Sequence, residues 1–166
     1  MAFSAKRIAY LAVLTALGTV LLLAANAMPT GRLALLALAG FPVCAALMMF
    51  GPGWAAGVCA VTAALGFLLF PGVAAVGYAA FFGWYPIVKS LCERVKNRYA
   101  GLGLKLLAYT LAAVLYWFLA KELFSGAAGL PWPVLYAAGA AVFFVYDWAY
   151  SLLIRIYLEK IARFLK

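Results

Sequence analysis

Long apolar runs alternate with short breaks along this chain, and the breaks predict six helices, at about 8–25, 33–50, 54–70, 73–91, 104–123 and 132–157. Each run approaches the roughly 20 residues needed to cross a hydrocarbon core of about 30 Å. Met28-Pro29-Thr30-Gly31-Arg32, Gly51-Pro52-Gly53 and Pro71-Gly72 provide the turns, since Pro and Gly are the residues that stop helices or reverse the chain. Pro42 falls inside the second run, where a kink is expected; a membrane helix tolerates Pro when neighbours satisfy the freed carbonyl. The one long polar interval away from the termini is Lys89 to Lys105. It sets Lys89, Arg94, Lys96, Arg98 and Lys105 against a single acid, Glu93, and divides the helices into four before it and two after.

Composition turns this pattern into a class. The chain is 70% hydrophobic and 10% charged, with mean hydropathy +1.10; a soluble domain is roughly 45–50% apolar and about 25% charged. An all-α integral membrane protein is expected, with residues 1–166 forming a single six-helix transmembrane domain. If the Lys89 to Lys105 loop faces the cytoplasm, eleven of the 13 cations lie on that side, against Arg32 and Lys121 on the other. Short loops rich in Lys and Arg stay inside, so both termini are expected in the cytoplasm. A net charge of +9 in a soluble protein would point to nucleic acid. Here the cations stand at helix ends, where topology and anionic lipid headgroups account for them, and no nucleic-acid partner is expected. Lys6, Arg7, the apolar run and Ala25-Asn26-Ala27 also fit a secretory signal and its cleavage site, but the run exceeds the 7–15 residues of a signal core. A retained helix is the preferred reading.

Small residues mark candidate contact faces. Ala5, Ala9, Ala12, Ala16 and Thr19 follow at steps of four and three along the first helix, which places them in one stripe. Such a stripe packs against a neighbouring helix of the same chain or docks a different protein, because lipid gives no hydrophobic drive and membrane helices associate through small faces. In the third helix Ala56, Ala60 and Ala64, with Gly57 and Gly66 beside them, predict a closely packed position.

Residues able to carry chemistry are few. The chain has no histidine, and Cys44, Cys59 and Cys92 have neither CxxC spacing nor an even count, so no disulfide or zinc framework is expected. Walker A and GxSxG patterns are absent, as is a pair of acids at helical spacing. The reading is therefore not an enzyme, with no cofactor and no metal, and nothing to hydrolyse ATP. Glu93 and Glu159 sit among cations and Glu122 stands beside Lys121. Asp147 is different: about 22 Å from Trp132 at 1.5 Å per residue, it falls within the bilayer, where an acid is a functional candidate by default. Lys89 is a candidate partner; an interhelical pair, a hydrogen bond to a Tyr and a proton site all remain open. Trp132, Tyr136, Gly139, Phe143, Tyr146 or Asp147, and Tyr150 share one face of the sixth helix, and Tyr109, Ala113, Tyr116 and Ala120 one face of the fifth, with Trp117 beside it. Such aromatic faces either anchor helices or line a small-ligand site.

Size, six helices, cytoplasmic termini and the stripe together make the chain resemble the S component, the membrane-embedded substrate-binding subunit, of an energy-coupling-factor (ECF) transporter. S components carry an AxxxA pattern on the first helix; Ala12-Val13-Leu14-Thr15-Ala16 matches it, and Ala5 to Ala9 offers a second match. The resemblance implies capture of a vitamin, precursor or other micronutrient, with energy from a separate membrane coupling (T) subunit and two ATPase subunits, in a bacterial or archaeal cell membrane crossed several times. It also implies partner docking through Ala5, Ala9, Ala12 and Ala16, and a substrate held in the outer half. There Asn26, Thr30 and Arg32 would form the lid, and Tyr78, Trp117, Lys121, Glu122, Trp132 and Tyr136 the wall. Two other classes compete: a non-transporting membrane scaffold resembling the rod-shape protein MreD, and a proton-coupled secondary carrier using Asp147.

Overall fold

A computed structural model describes residues 5–28, 31–93, 103–111, 113–114 and 132–156. The elements are α1 (Ala5–Ala27), α2 (Arg32–Ala39), α3 (Phe41–Phe50), α4 (Pro52–Leu69), α5 (Val73–Gly77), a π turn (Tyr78–Phe82), α6 (Tyr85–Glu93), α7 (103–111) and α8 (Trp132–Ile156). No strand occurs among the described residues. Three stretches, Ala5–Ala27, Arg32–Phe50 and Pro52–Leu69, are long and apolar enough to cross a membrane. The chain forms two compact units, Met1–Phe124 and Ser125–Lys166.

In the first unit α1, α2–α3, α4 and α5–α6 run alternately up and down, joined by tight turns. Gly31 (φ 81°) and Gly51 (φ 91°) make two of these turns; both positive φ values suit a residue without a Cβ. Contacts at the two ends fix the arrangement. Where α1 begins, here called the near end, Arg7 lies over the rings of Phe50 and Trp54, which flank the α3–α4 turn. At the far end, Arg32 Nε donates to the Ala25 carbonyl at 3.1 Å, and Asn26 Oδ1 lies 3.2 Å from where a Cβ on Gly72 would stand. The Arg32 bond satisfies one of the carbonyls that the last turn of any helix leaves orphaned.

Two expected helices are interrupted. The second breaks at Gly40, two residues before Pro42, where the Gly40 N–H bonds Ala37 O at 3.3 Å. Pro42 then occupies the first turn of α3, a position where the missing N–H costs nothing. The stretch expected as one helix over 73–91 is split into α5, the π turn and α6. Gly83 N–H closes the π turn on Tyr78 O at 2.8 Å. Of the helix expected over 104–123, residues 103–111 and 113–114 are helical; the remainder lies outside the described residues, as do Arg94, Lys96 and Arg98.

Helix α1 has two distinct faces. Leu11, Gly18, Leu22 and Ala25 are buried, while Ile8, Tyr10, Val13, Leu17 and Val20 are exposed. The buried row meets α4, which turns Ala55, Val58, Cys59, Thr62 and Gly66 inward. A Cβ on Gly18 would approach Thr62 Cγ2 at 3.2 Å and Oγ1 at 3.3 Å, and a Cβ on Gly66 would collide with Leu22. The glycines, not the alanine rows, therefore select the packing faces: Ala60 and Ala64 are exposed, and so are Ala5, Ala9, Ala12 and Ala16.

In the second unit α8 buries Phe143 and Tyr150 and exposes Phe144, Val145, Trp148 and Leu152. Tyr136, Gly139, Tyr146 and Asp147 are half-buried, so the face expected from their spacing is the less exposed one. The Asp147 carbonyl accepts a bond from Ser151 Oγ at 2.8 Å.

Gly18→Leu should force α1 away from α4 and destabilise the protein by about 1–3 kcal/mol, the usual cost of overpacking. Gly57→Ala is the control. A Cβ at Gly57 meets nothing within 4 Å, so this change should be neutral or stabilise by up to about 1 kcal/mol. Thermal unfolding in detergent distinguishes the two outcomes.

Candidate functional site

Two polar side chains buried in the first unit, Thr62 and Tyr78, come together where α1, α4 and the π turn meet; a third, Lys89, is buried on α6. Helical hydroxyls elsewhere return to their own backbone. Thr15 donates to Leu11 O at 2.8 Å, Thr19 to Thr15 O at 2.9 Å, Ser90 to Ile87 O at 2.8 Å and Thr110 to Leu106 O at 2.9 Å. This is the standard solution for Ser and Thr in a helix, three or four residues back. Thr62 departs from it. Its side chain is 0% exposed, its hydroxyl makes no bond to Val58 O, and it points across to Tyr78, itself 0% exposed. The two hydroxyls face one another, and neither meets a third polar partner among the described residues. A hydroxyl can donate one bond and accept others, so a pair that shares one contact in an apolar surround still holds unused bonding capacity, which is costly to bury.

Three local features hold the pair in place. Thr62 faces Gly18, whose missing side chain leaves room for it. Tyr78 opens the π turn, and its ring lies against Gly83: a Cβ there would stand 2.9 Å from Tyr78 Cε1 and 2.8 Å from Cys59 Sγ. Cys59, fully buried one turn before Thr62, brings its thiol beside the same ring. Phe81 packs on Tyr85 with centroids 5.0 Å apart and on Phe82 at 5.3 Å, walling the π turn with aromatic rings. Single π turns inside helices occur often at functional sites. The cluster thus offers two hydroxyls, each able to donate and accept, and one thiol, in an apolar surround. None of these three side chains carries a charge.

At 1.5 Å per residue, Gly18, Thr62 and Tyr78 lie roughly 9–12 Å below the far end, where Asn26, Arg32 and Gly72 meet. Asn26 is exposed and Arg32 half-buried. Of the residues expected to bind substrate, the structure therefore brings Asn26 and Arg32 together at one end, with Tyr78 deeper beneath the same end. Thr30, Trp117, Lys121 and Glu122 lie outside the described residues. Trp132 starts α8 and Tyr136 is half-buried in it; both belong to the second unit. Sequence reasoning missed Thr62, Cys59, Gly18 and Gly83. One signal was available for Thr62, the only hydroxyl in the whole of α4.

No family model, curated protein or solved structure matches this chain. Among the described residues no three His, Cys, Asp or Glu side chains are grouped to hold a metal ion. The functional reading therefore rests on the fold and on this cluster.

Replacing both hydroxyls removes the unpaired groups while keeping shape. The double variant Thr62→Val with Tyr78→Phe should unfold at the same temperature as the parent or higher, a gain of up to about 1–2 kcal/mol. Differential scanning fluorimetry in detergent measures it, and a fall in the midpoint would show that the hydroxyls serve packing.

Proposed function

We propose that this chain is the substrate-capture subunit of an energy-coupling-factor transporter, binding a vitamin, precursor or other micronutrient for uptake driven by a separate coupling subunit and two ATPase subunits. The observation that carries the proposal is the buried Thr62–Tyr78 pair at the π turn, which has no third polar partner among the described residues and so keeps part of its hydrogen-bonding capacity unspent. A pure scaffold has no use for such a pair. A binding subunit does, because its ligand brings the missing partners and the cost of burial becomes specificity. The ligand that suits the cluster is uncharged, with at least one donor and one acceptor.

In this reading the chain crosses the membrane of a bacterial or archaeal cell six times, with both termini in the cytoplasm. The near end, with Lys6 and Arg7, faces inward, in keeping with the positive-inside rule. The far end, with Asn26 and Arg32, is the entrance. The stripe Ala5, Ala9, Ala12 and Ala16 is exposed, and so is available to a coupling subunit. The scaffold alternative shares that exposed stripe but predicts no ligand.

Two measurements separate these readings. Purified protein screened against a panel of neutral vitamins and their precursors should show a ligand-dependent rise in unfolding temperature, and Tyr78→Phe should weaken that ligand by roughly fivefold or more, the value of about 1 kcal/mol for one hydrogen bond. Affinity purification from the native host should recover an ATPase pair with a membrane coupling protein, and Ala9→Leu with Ala12→Leu should reduce that recovery without moving the ligand response. A panel with no response and no recovered ATPase would favour the scaffold.

A further inference from the structure

We propose that the Thr62 hydroxyl is a two-position switch, set by the spacing of α1 and α4 at Gly18, that makes or breaks the contact with Tyr78. A threonine hydroxyl in a helix has a ready acceptor in the carbonyl three or four residues back, and its χ1 divides between two positions for that reason. Thr15 takes the backward bond at 2.8 Å, and Thr19 and Thr110 take it at 2.9 Å. For Thr62 the equivalent acceptor is the Val58 carbonyl, on its own helix, and the hydroxyl leaves it to face Tyr78. The same side chain thus has two stations, one within α4 and one at the π turn.

Helix α1 selects between them. A Cβ on Gly18 would stand 3.2 Å from Thr62 Cγ2 and 3.3 Å from Oγ1, so both branches of the threonine rest against α1 where it has no side chain. Exchanging hydroxyl and methyl needs space that only an outward movement of α1 supplies. Small shifts at such a seam are amplified, because packed side chains move between discrete arrangements. The contact reaches beyond α4, since Tyr78 opens the π turn and its ring lies against Gly83 and Cys59. Helix α1 presents Ile8, Val13, Leu17 and Val20 outward, so a protein held on that face acts on the same spacing. On the transport reading, this is a means of release: drawing α1 outward returns the hydroxyl to Val58 and withdraws a bonding group from the ligand. The switch itself stands without that reading.

The test uses the full chain in detergent, with tyrosine carrying carbon-13 at Cζ, where the NMR shift follows hydrogen bonding of the phenol. Tyr78→Phe identifies the Tyr78 signal by its loss. Thr62→Val should move that signal, and Gly18→Ala should move it to the same place, because the added methyl denies Thr62 its forward position. Gly57→Ala, on the same helix as Thr62 but with open space around it, should leave the signal where it is. Thr62→Ser decides the matter if Gly18→Ala fails to fold: it keeps a hydroxyl but loses the methyl held against Gly18, so the hydroxyl should return to Val58 and the signal should again match Thr62→Val. A wild-type signal in Thr62→Val, in Gly18→Ala, or in Thr62→Ser where that variant decides, overturns the proposal, as does an equal movement in Gly57→Ala. The measurement needs no ligand, so its failure and the failure of the ligand panel are separate results.

Discussion

The first unit depends on how closely α1 approaches α4. Membrane helices gain nothing by hiding apolar surface from lipid, so they hold together through contacts that only a close approach provides. Gly18 and Gly66 permit that approach, one by facing Thr62 and the other by receiving Leu22. The rest follows from this seam. With Gly18 opposite it, Thr62 turns away from its own backbone. Tyr78 comes to lie beside it, and the Tyr78 ring in turn requires Gly83 to be glycine.

The same seam explains where the Thr62–Tyr78 pair lies. An apolar bundle accepts hydroxyls easily when they bond back to their own helix, as Thr15, Thr19 and Thr110 do. It accepts a forward-pointing hydroxyl only where neighbouring atoms hold the side chain in that rotamer. Helix packing, rather than local propensity, thus decides which of several chemically identical threonines turns away from its own backbone. At the two ends of the unit the arginines show the same division of labour. Arg32 turns back to cap the helix before it, whereas Arg7 lies over two aromatic rings.

Much of the architecture was legible in the sequence, for physical reasons that can be named. The turns at Gly31, Gly51 and Pro71-Gly72 were readable because Gly and Pro act locally. The helical face of α8 was readable because Phe143 and Tyr150 repeat at the spacing of two turns. The packed faces of α1 and α4 were not. Both helices are so rich in alanine that several rows of small residues satisfy the same spacing, and the choice among them rests on Gly18 and Gly66 meeting partners from distant parts of the chain. The break at Gly40 was masked by Pro42, the stronger local signal two residues on. Tyr78 was singled out as a binding residue, but its partner Thr62 was not, because the property that distinguishes it, a hydroxyl that declines its own backbone, exists only once α1 is in place.

The interrupted stretch from Val73 to Glu93 bears on what a bilayer demands of the packing. Neither α5 nor α6 is long enough to cross a bilayer by itself, and the π turn between them leaves backbone groups off the regular helical pattern. Irregular backbone at membrane depth is tolerated only against protein, and α6 also carries Lys89, 1% exposed, on its buried row with Tyr85 and Cys92. This stretch lacks the unbroken helical length of α1 and α4. In a bilayer, its irregular turn and the buried Lys89 would need the packed surface of α1 to α4 against them.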